Sequence, residues 1–401
     1  MNRMTQKWIS LLLSMLLLFS VVSGTAEETD EIQKCLNLAQ NALLQEDYET
    51  ASLYYQLAAA LGDAIAQYNL GVMYAKGNGV DQSWEKAAKY YRLAAEQGDA
   101  AAMFNLGSMY EEGLGVDQSM EKAVEYYLQA ADLGDAQAQY VASHLYNAGI
   151  VVEQSDEKAV EYLRQSADQG FDAALYALGY AYAHGIGVEQ SYEKCAEYCQ
   201  KAADLGYAEA QFELFVLYFN GAGVEQSYEK GLEYLQKAVD QDYADAIYSM
   251  GYNYESGTGV EQSWEKAAEY YQRAADLGDE EAQVNLAGMY CDGLGVEQSY
   301  EKALEYFLLA AEQDSDTALY NLGVMYQYGQ GVEQSYATAL EYYRRAAHLK
   351  DGHAEYNLGA MYYYGEGVPQ SLTMAEMYFQ MASFHGYEDA AAALEIIRQE
   401  K

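Results

Sequence analysis

Basic residues are scarce in this chain: 22 Lys and Arg stand against 62 Asp and Glu over 401 residues, a net charge of −40. A surface of that sign repels phosphate backbones, so no nucleic-acid partner is expected, and an anionic membrane surface is disfavoured for the same reason. Basic proteins and divalent cations remain permitted, although a plain solvated acidic surface needs neither. Proline occurs once, and cysteine four times, at Cys35, Cys195, Cys199 and Cys291. Scattered thiols of this kind do not make a disulfide framework, and Cys195 and Cys199, four apart on one predicted helix, are poorly placed to bridge. No P-loop, no H-E-x-x-H zinc signature and no EF-hand calcium loop is found. Gly77-Asn78-Gly79 follows a predicted helix rather than a strand, which argues against a dinucleotide fingerprint. The five histidines, His144, His184, His348, His353 and His385, are scattered. No cofactor, metal or catalytic set is therefore expected.

Long apolar runs are absent beyond residue 22. The single run, Trp8 to Val22, follows Arg3 and Lys7 and precedes the small residues Ser23, Gly24, Thr25 and Ala26. That order describes a secretory signal peptide over residues 1–26, and about 15 apolar residues are short for a membrane span; an uncleaved anchor is the alternative. Cleavage removes Arg3 and Lys7 and no acid, moving the charge from −40 to −42. The mature chain is expected to be exported, to the periplasm, the extracellular space or a secretory lumen, to be off the membrane, and to be monomeric.

What the chain has in abundance is tyrosine (43), glycine (34) and apolar residues (51%), enough for a large core. These fall into a repeat of 36 residues, whose start at Gly62 returns at Gly98, Gly134, Gly170, Gly206, Asp242, Gly278, Asp314 and Lys350. Six columns do not vary over nine units: those of Tyr74, Gly77, Val80, Gln82, Ser83 and Tyr90. Each unit reads as two helices. Asp63 caps the first and Gly77 ends it; Ser83 caps the second, whose Ala87, Tyr90, Tyr91, Ala94 and Ala95 make one apolar face. Gly71 costs about 1 kcal/mol of helix propensity against alanine, yet glycine fills its column in six units, from which a close approach of two helix backbones is expected. One pair cannot bury both faces, so the units must stack. The predicted fold is all-α, a solenoid of antiparallel helix pairs. It runs as a capping pair at 27–61, nine repeats at 62–385 and a capping helix at 386–401. Repeats three to five (134–241) depart most, with Val151 in the Gly79 column, and Ser143 and Phe215 in the Gly71 column. They suggest a bend or a specialised site.

The run Ala66-Gln67-Tyr68-Asn69-Leu70-Gly71-Val72-Met73-Tyr74, with Gly77, Gly79, Val80, Glu85-Lys86-Ala87, Tyr90-Tyr91 and Ala94-Ala95, resembles the Sel-1-like repeat family, a relative of the tetratricopeptide repeat, over residues 62–385. The N-terminal pair looks more like a tetratricopeptide unit. The resemblance implies a right-handed superhelix with first helices on the concave side, and a role as an adaptor in signalling, envelope or secretory complexes. A cysteine-rich branch of the family, linked to β-lactam binding or hydrolysis, carries a disulfide in every repeat. This chain lacks that pattern, so β-lactamase-like hydrolysis is only the alternative to a binding scaffold, alongside a structural or virulence-type envelope role.

Invariant columns pack the repeat, so specificity is sought where units differ. The columns of Val72, Ala75 and Lys76 vary freely on the first helices. They hold Tyr180, His184, Phe219, Tyr252, Tyr328, Tyr363 and Tyr364, predicted anchors for a protein or peptide ligand on the concave face, with Glu111, Glu112, Glu255 and Asp292 adding negative charge. Asn69 recurs at Asn105, Asn285, Asn321 and Asn357, as a holder of peptide backbone or as a structural hydrogen bond. Cys195 and Cys199 fall in core columns; Cys291 falls in one expected to be exposed. Glu85, Lys86 and Lys89 read as surface charges.

Overall fold

Each helix of the computed structural model begins and ends where local chemistry dictates. The structure describes residues 26–400, so the leader expected at 1–26 lies, but for its last residue, outside the described residues. Among those described there are 21 helices and no strand. They fall into two compact units that divide between Tyr207 and Ala208, in each of which successive antiparallel helix pairs stack as a solenoid. In the first repeat Asp63 Oδ1 accepts from the Ala66 N–H at 2.7 Å to open the helix Ala64–Lys76, and Gly77 closes it at φ 74°. Ser83 Oγ accepts from the Lys86 N–H at 3.3 Å to open Trp84–Ala95. Invariant Gln82 has a role the sequence did not disclose. Its Nε2 donates to the Ala75 carbonyl at 2.8 Å, satisfying an end-of-helix acceptor, and seven counterparts as far as Gln370 do the same.

The two invariant tyrosines are partners. Tyr74 and Tyr90 stack at 5.6 Å between ring centres and 2° between planes, and the stack recurs in all nine repeats. Lys86 is not a free surface charge: its ammonium lies 4.9 Å from the centre of the Tyr74 ring, and lysines in six further repeats repeat the contact. Each such contact is worth about 0.5–1 kcal/mol at an exposed site.

The glycine at position 71 takes a ring as well as a helix backbone. The group pressed hardest on it is the Tyr91 ring, since a Cβ there would stand 2.5 Å from Tyr91 Cδ1, and in the same column a Cβ on Gly107 or Gly179 would stand 3.2 and 3.4 Å from the second-helix carbonyls of Ala123 and Cys195. Gly107, Gly251 and Gly323 receive Tyr127, Tyr271 and Tyr343 in the same way, and Gly359 receives Phe379. Where the column carries serine or phenylalanine the ring is absent: Ser143 is paired by register with Leu163, and Phe215 with Leu235, whereas Ala287 keeps a ring, Phe307.

A period of two repeats is superimposed on the period of one. The buried Gln67 column pairs with the Gln97 column at the end of the following helix. Repeats one, three, five and seven hold hydrogen-bonded glutamines, Gln67–Gln97, Gln139–Gln169 and Gln211–Gln241 at 2.8 Å and Gln283–Gln313 at 3.1 Å. Repeats two, four, six and eight hold Met103/Leu133, Leu175/Leu205, Ile247/Leu277 and Leu319/Leu349. Repeat nine holds Glu355 and His385, at 2.8 Å. A buried amide without a partner is costly, so both members change together.

Candidate functional site

Column 91 decides what the face formed by the first helices looks like, because its side chain reaches between successive first helices. Tyr127 donates to Glu111 Oε2 at 2.6 Å, and Tyr271 donates to Glu255. Tyr343 donates to Gln327 Oε1 at 2.7 Å and accepts from Asn357 Nδ2 at 3.1 Å. Glu111 and Glu255, expected to charge a binding face, are thus occupied in holding buried phenols. Asn69 and Asn321 donate to the carbonyls of Ile65 and Thr317, so the asparagine column is structural at these positions too.

Burial, and then the hydrogen bond to a carboxylate, push the Tyr127 and Tyr271 hydroxyls well above the usual tyrosine range. A raised pKa in the folded state gives stability that is intact below the unfolded value of about 10. It is lost as pH climbs beyond that value. Melting temperature is accordingly expected to hold up to about pH 10 and fall above it, with a smaller fall in Tyr127→Phe plus Tyr271→Phe, as followed by circular dichroism.

Repeat three lacks this arrangement. Leu163 stands in the tyrosine column, Ser143 in the glycine column and Asn147 in the Glu/Gln column; in repeat four Ala177 stands where asparagine would reach across. The space left is a cleft of about 300 Å³, with Tyr140, His144, Leu163, Tyr176, Tyr180 and Tyr207 among its walls. One wall, Tyr207, comes from a second departure. Phe171 and Tyr207 replace the capping aspartate, and Phe171 makes no side-chain cap. Their rings pack instead on Tyr140 (5.4 Å) and Tyr176 (5.5 Å), which offsets a lost cap worth about 1 kcal/mol. His144 meets the Tyr140 ring edge-on at 4.6 Å, and burial lowers its pKa, so the imidazole is neutral at pH 7.

Of the anchors predicted from sequence, Tyr180, Tyr252, Tyr328 and Tyr364 are exposed by 46, 54, 66 and 69%. His184 is exposed and stacks on Tyr180 at 4.0 Å; half-buried Tyr363 meets Tyr364 edge-on at 4.9 Å. Tyr180 and His184 are brought together beside the cleft, while Tyr252 and Tyr328 stand apart from each other on helices Ala244–Ser256 and Asp316–Tyr328. Phe219 is a correction. Its ring is turned inward onto Phe215 (4.3 Å) and Tyr228 (4.9 Å) and fills the place of a side chain at Gly231, so it is packing rather than an anchor. Sequence reasoning missed Tyr140, His144, Leu163, Tyr176 and Tyr207; the available signal was the joint departure of Ser143 and Leu163 from their columns.

The Sγ atoms of buried Cys195 and Cys199 lie 3.8 Å apart, a thiol contact rather than a disulfide. Cys291 is half-buried, not exposed, and burial pushes its thiol up to about 11, which makes it a passive group. Among the described residues no three His, Cys, Asp or Glu side chains converge to hold a metal ion, and no helix is long and apolar enough to cross a membrane.

The profile of the Sel1 repeat matches ten consecutive segments, 37–63, 64–99, 100–135, 136–171, 172–207, 208–243, 244–279, 280–315, 317–351 and 352–386. The first of them lies on the N-terminal helix pair, ahead of the nine units read from the sequence. Among solved structures the chain is similar to c5321, a protective antigen present in uropathogenic Escherichia coli strains with an SLR fold. That likeness has 32% identity and a TM-score of 0.80, over 93% of this chain and 80% of that one. It is also similar to a Sel1 repeat protein from Oxalobacter formigenes, at 30% identity and a TM-score of 0.58, over 76% of this chain and 91% of that one. No curated protein matches the chain.

Proposed function

The chain belongs to the Sel1 repeat family, and from that premise we propose that it is an exported scaffold, without catalytic chemistry of its own, that holds a protein or peptide on the concave face of its first helices. One observation carries this reading. The tyrosines of the invariant columns are spent on stacking, whereas Tyr180, Tyr252, Tyr328 and Tyr364, all in variable columns, stand in solvent. Large aromatics are enriched among the residues that dominate binding energy, and leaving them exposed carries a liability for association. With a net charge of −40 the partner is a basic segment. Export is supported by the basic, then apolar, then small-residue order of the first 26 residues, and by the description of the Escherichia coli relative as a protective antigen.

The test is capture of crosslinked partners from the native organism by the wild-type protein and by Tyr252→Ala plus Tyr328→Ala. The variant is expected to recover at least one partner about tenfold less well, in line with hot-spot losses of about 1.4 kcal/mol or more, and the captured partner to dissociate more readily at high salt. Equal recovery of every partner removes the proposed face.

A further inference from the structure

We propose that the cleft between the first helices of repeats three and four is a receptor for a tyrosine side chain of the partner. This rests on the scaffold reading and names the chemistry of one of its contacts. The chain itself shows what fits there. In repeats one, two, six and eight the same place between first helices holds a tyrosine ring laid over glycine, Tyr91 on Gly71 or Tyr343 on Gly323. Repeat three keeps the walls and lacks the ring. Tyr140 occupies the column whose members, Phe104 and Tyr320, lie 5.3 and 6.1 Å from those internal rings, so it offers an incoming ring the same face. Leu163 ends short of the place and Ala177 adds no bulk to it, leaving about 300 Å³. The far end is polar. Asn147 sits at the register position from which Glu111 and Gln327 accept the tyrosine hydroxyl, and it too lines the cleft. A carbonyl oxygen there gives a phenol an acceptor that a phenylalanine would leave unused. Tyr180, exposed at the mouth and stacked with His184, covers the stem of the inserted side chain. The chain's net charge of −40 favours a tyrosine carried on a basic segment.

The experiment uses the full chain and p-cresol, the side chain of tyrosine as a free molecule, with its saturated counterpart 4-methylcyclohexanol as control. Saturation-transfer NMR and thermal shift are read for the wild type and for two variants in which the chain supplies its own ring. These are Ser143→Gly plus Leu163→Tyr, which recreates the glycine–tyrosine pair, and Ser143→Gly plus Leu163→Phe, which recreates the Gly359–Phe379 pair. The serine is replaced in both, because a Cβ on Gly323 or Gly359, in the two pairs copied, would stand 2.4 and 2.7 Å from the ring. The wild type is expected to bind p-cresol at least tenfold more tightly than 4-methylcyclohexanol and to melt higher in its presence. The filled variants should melt higher without ligand and bind at least tenfold more weakly. No binding by the wild type, equal binding of the saturated probe, or undiminished binding by a folded filled variant overturns the proposal. The readout is independent of Tyr252 and Tyr328, so failure of the wider face leaves it standing, and its own failure leaves the face to the capture experiment.

Discussion

Gly115→Ala is expected to destabilise the first unit by about 2–5 kcal/mol, combining the cost of a left-handed backbone with that of overpacking. Gly115 lies at φ 67°, and a Cβ on it would stand 2.2 Å from the Trp84 carbonyl carbon and 2.5 Å from the Glu85 nitrogen. Those are backbone atoms at the start of the preceding repeat's second helix, fixed by the Ser83 cap, and no rotamer change moves them aside. Gly98 is the internal control. It has φ 88° but nothing within 4 Å of its Cβ position, so Gly98→Ala should cost only about 1 kcal/mol, the conformational part alone. The chain has made that change three times, since Asp242, Asp314 and Lys350 occupy the same column at φ 55, 60 and 72°, whereas the Gly115 column departs from glycine once, at Val151 with φ 63°. Solenoids are held by nearest-neighbour interfaces, so the loss should be local. Amide hydrogen exchange is expected to quicken first in repeats one and two, and the urea midpoint of the variant to fall below that of Gly98→Ala. Equal midpoints for the two variants would show that the backbone contact does not set the demand for glycine.

The second large effect is a coupling. Gln313→Leu alone should cost about 1–3 kcal/mol, because Gln283, 3% exposed, then keeps an oxygen with no donor. Changing both, to Gln283→Leu plus Gln313→Leu, should return stability to within about 0.5 kcal/mol of the wild type, because repeats six and eight on either side are built with Ile247/Leu277 and Leu319/Leu349. Repeat nine predicts the opposite sign. Gln283 donates to the Ala275 carbonyl; by register Glu355 faces that of Ala347, and its Oε1 has no hydrogen-bond partner. Glu355→Gln supplies the missing donor while keeping an acceptor for His385, and should stabilise by on the order of 1 kcal/mol. A strictly additive cycle in thermal or urea unfolding would refute the paired reading of these columns.

Helix positions, caps and family were legible in the residues because each is set within a turn or two of chain. Asp63, Gly77 and Ser83 act on backbone groups three or four residues away, and the Ala87-to-Ala95 face follows from helical periodicity alone. The functional residues were legible only in part. Counting which columns vary found Tyr180, Tyr252, Tyr328 and Tyr364, which are exposed. The same count included Phe219, which is not free, because its environment depends on Gly231 and Phe215 rather than on its column. Lys86, Glu111 and Glu255 were likewise read as solvent charges, since the rings they serve lie up to 16 residues away.

By itself, then, the sequence determined a stack of capped helical hairpins of one family, since small residues and tyrosines recurring every 36 positions leave the chain no other way to bury its apolar faces. The tertiary structure alone decided why glycine sits under Tyr91, why glutamines come in alternate pairs and where a cleft opens. Each of these is a matter of volume or hydrogen bonding between side chains on different helices, and a cleft is the difference between what three helices could fill and what Leu163, Ser143 and Ala177 do fill.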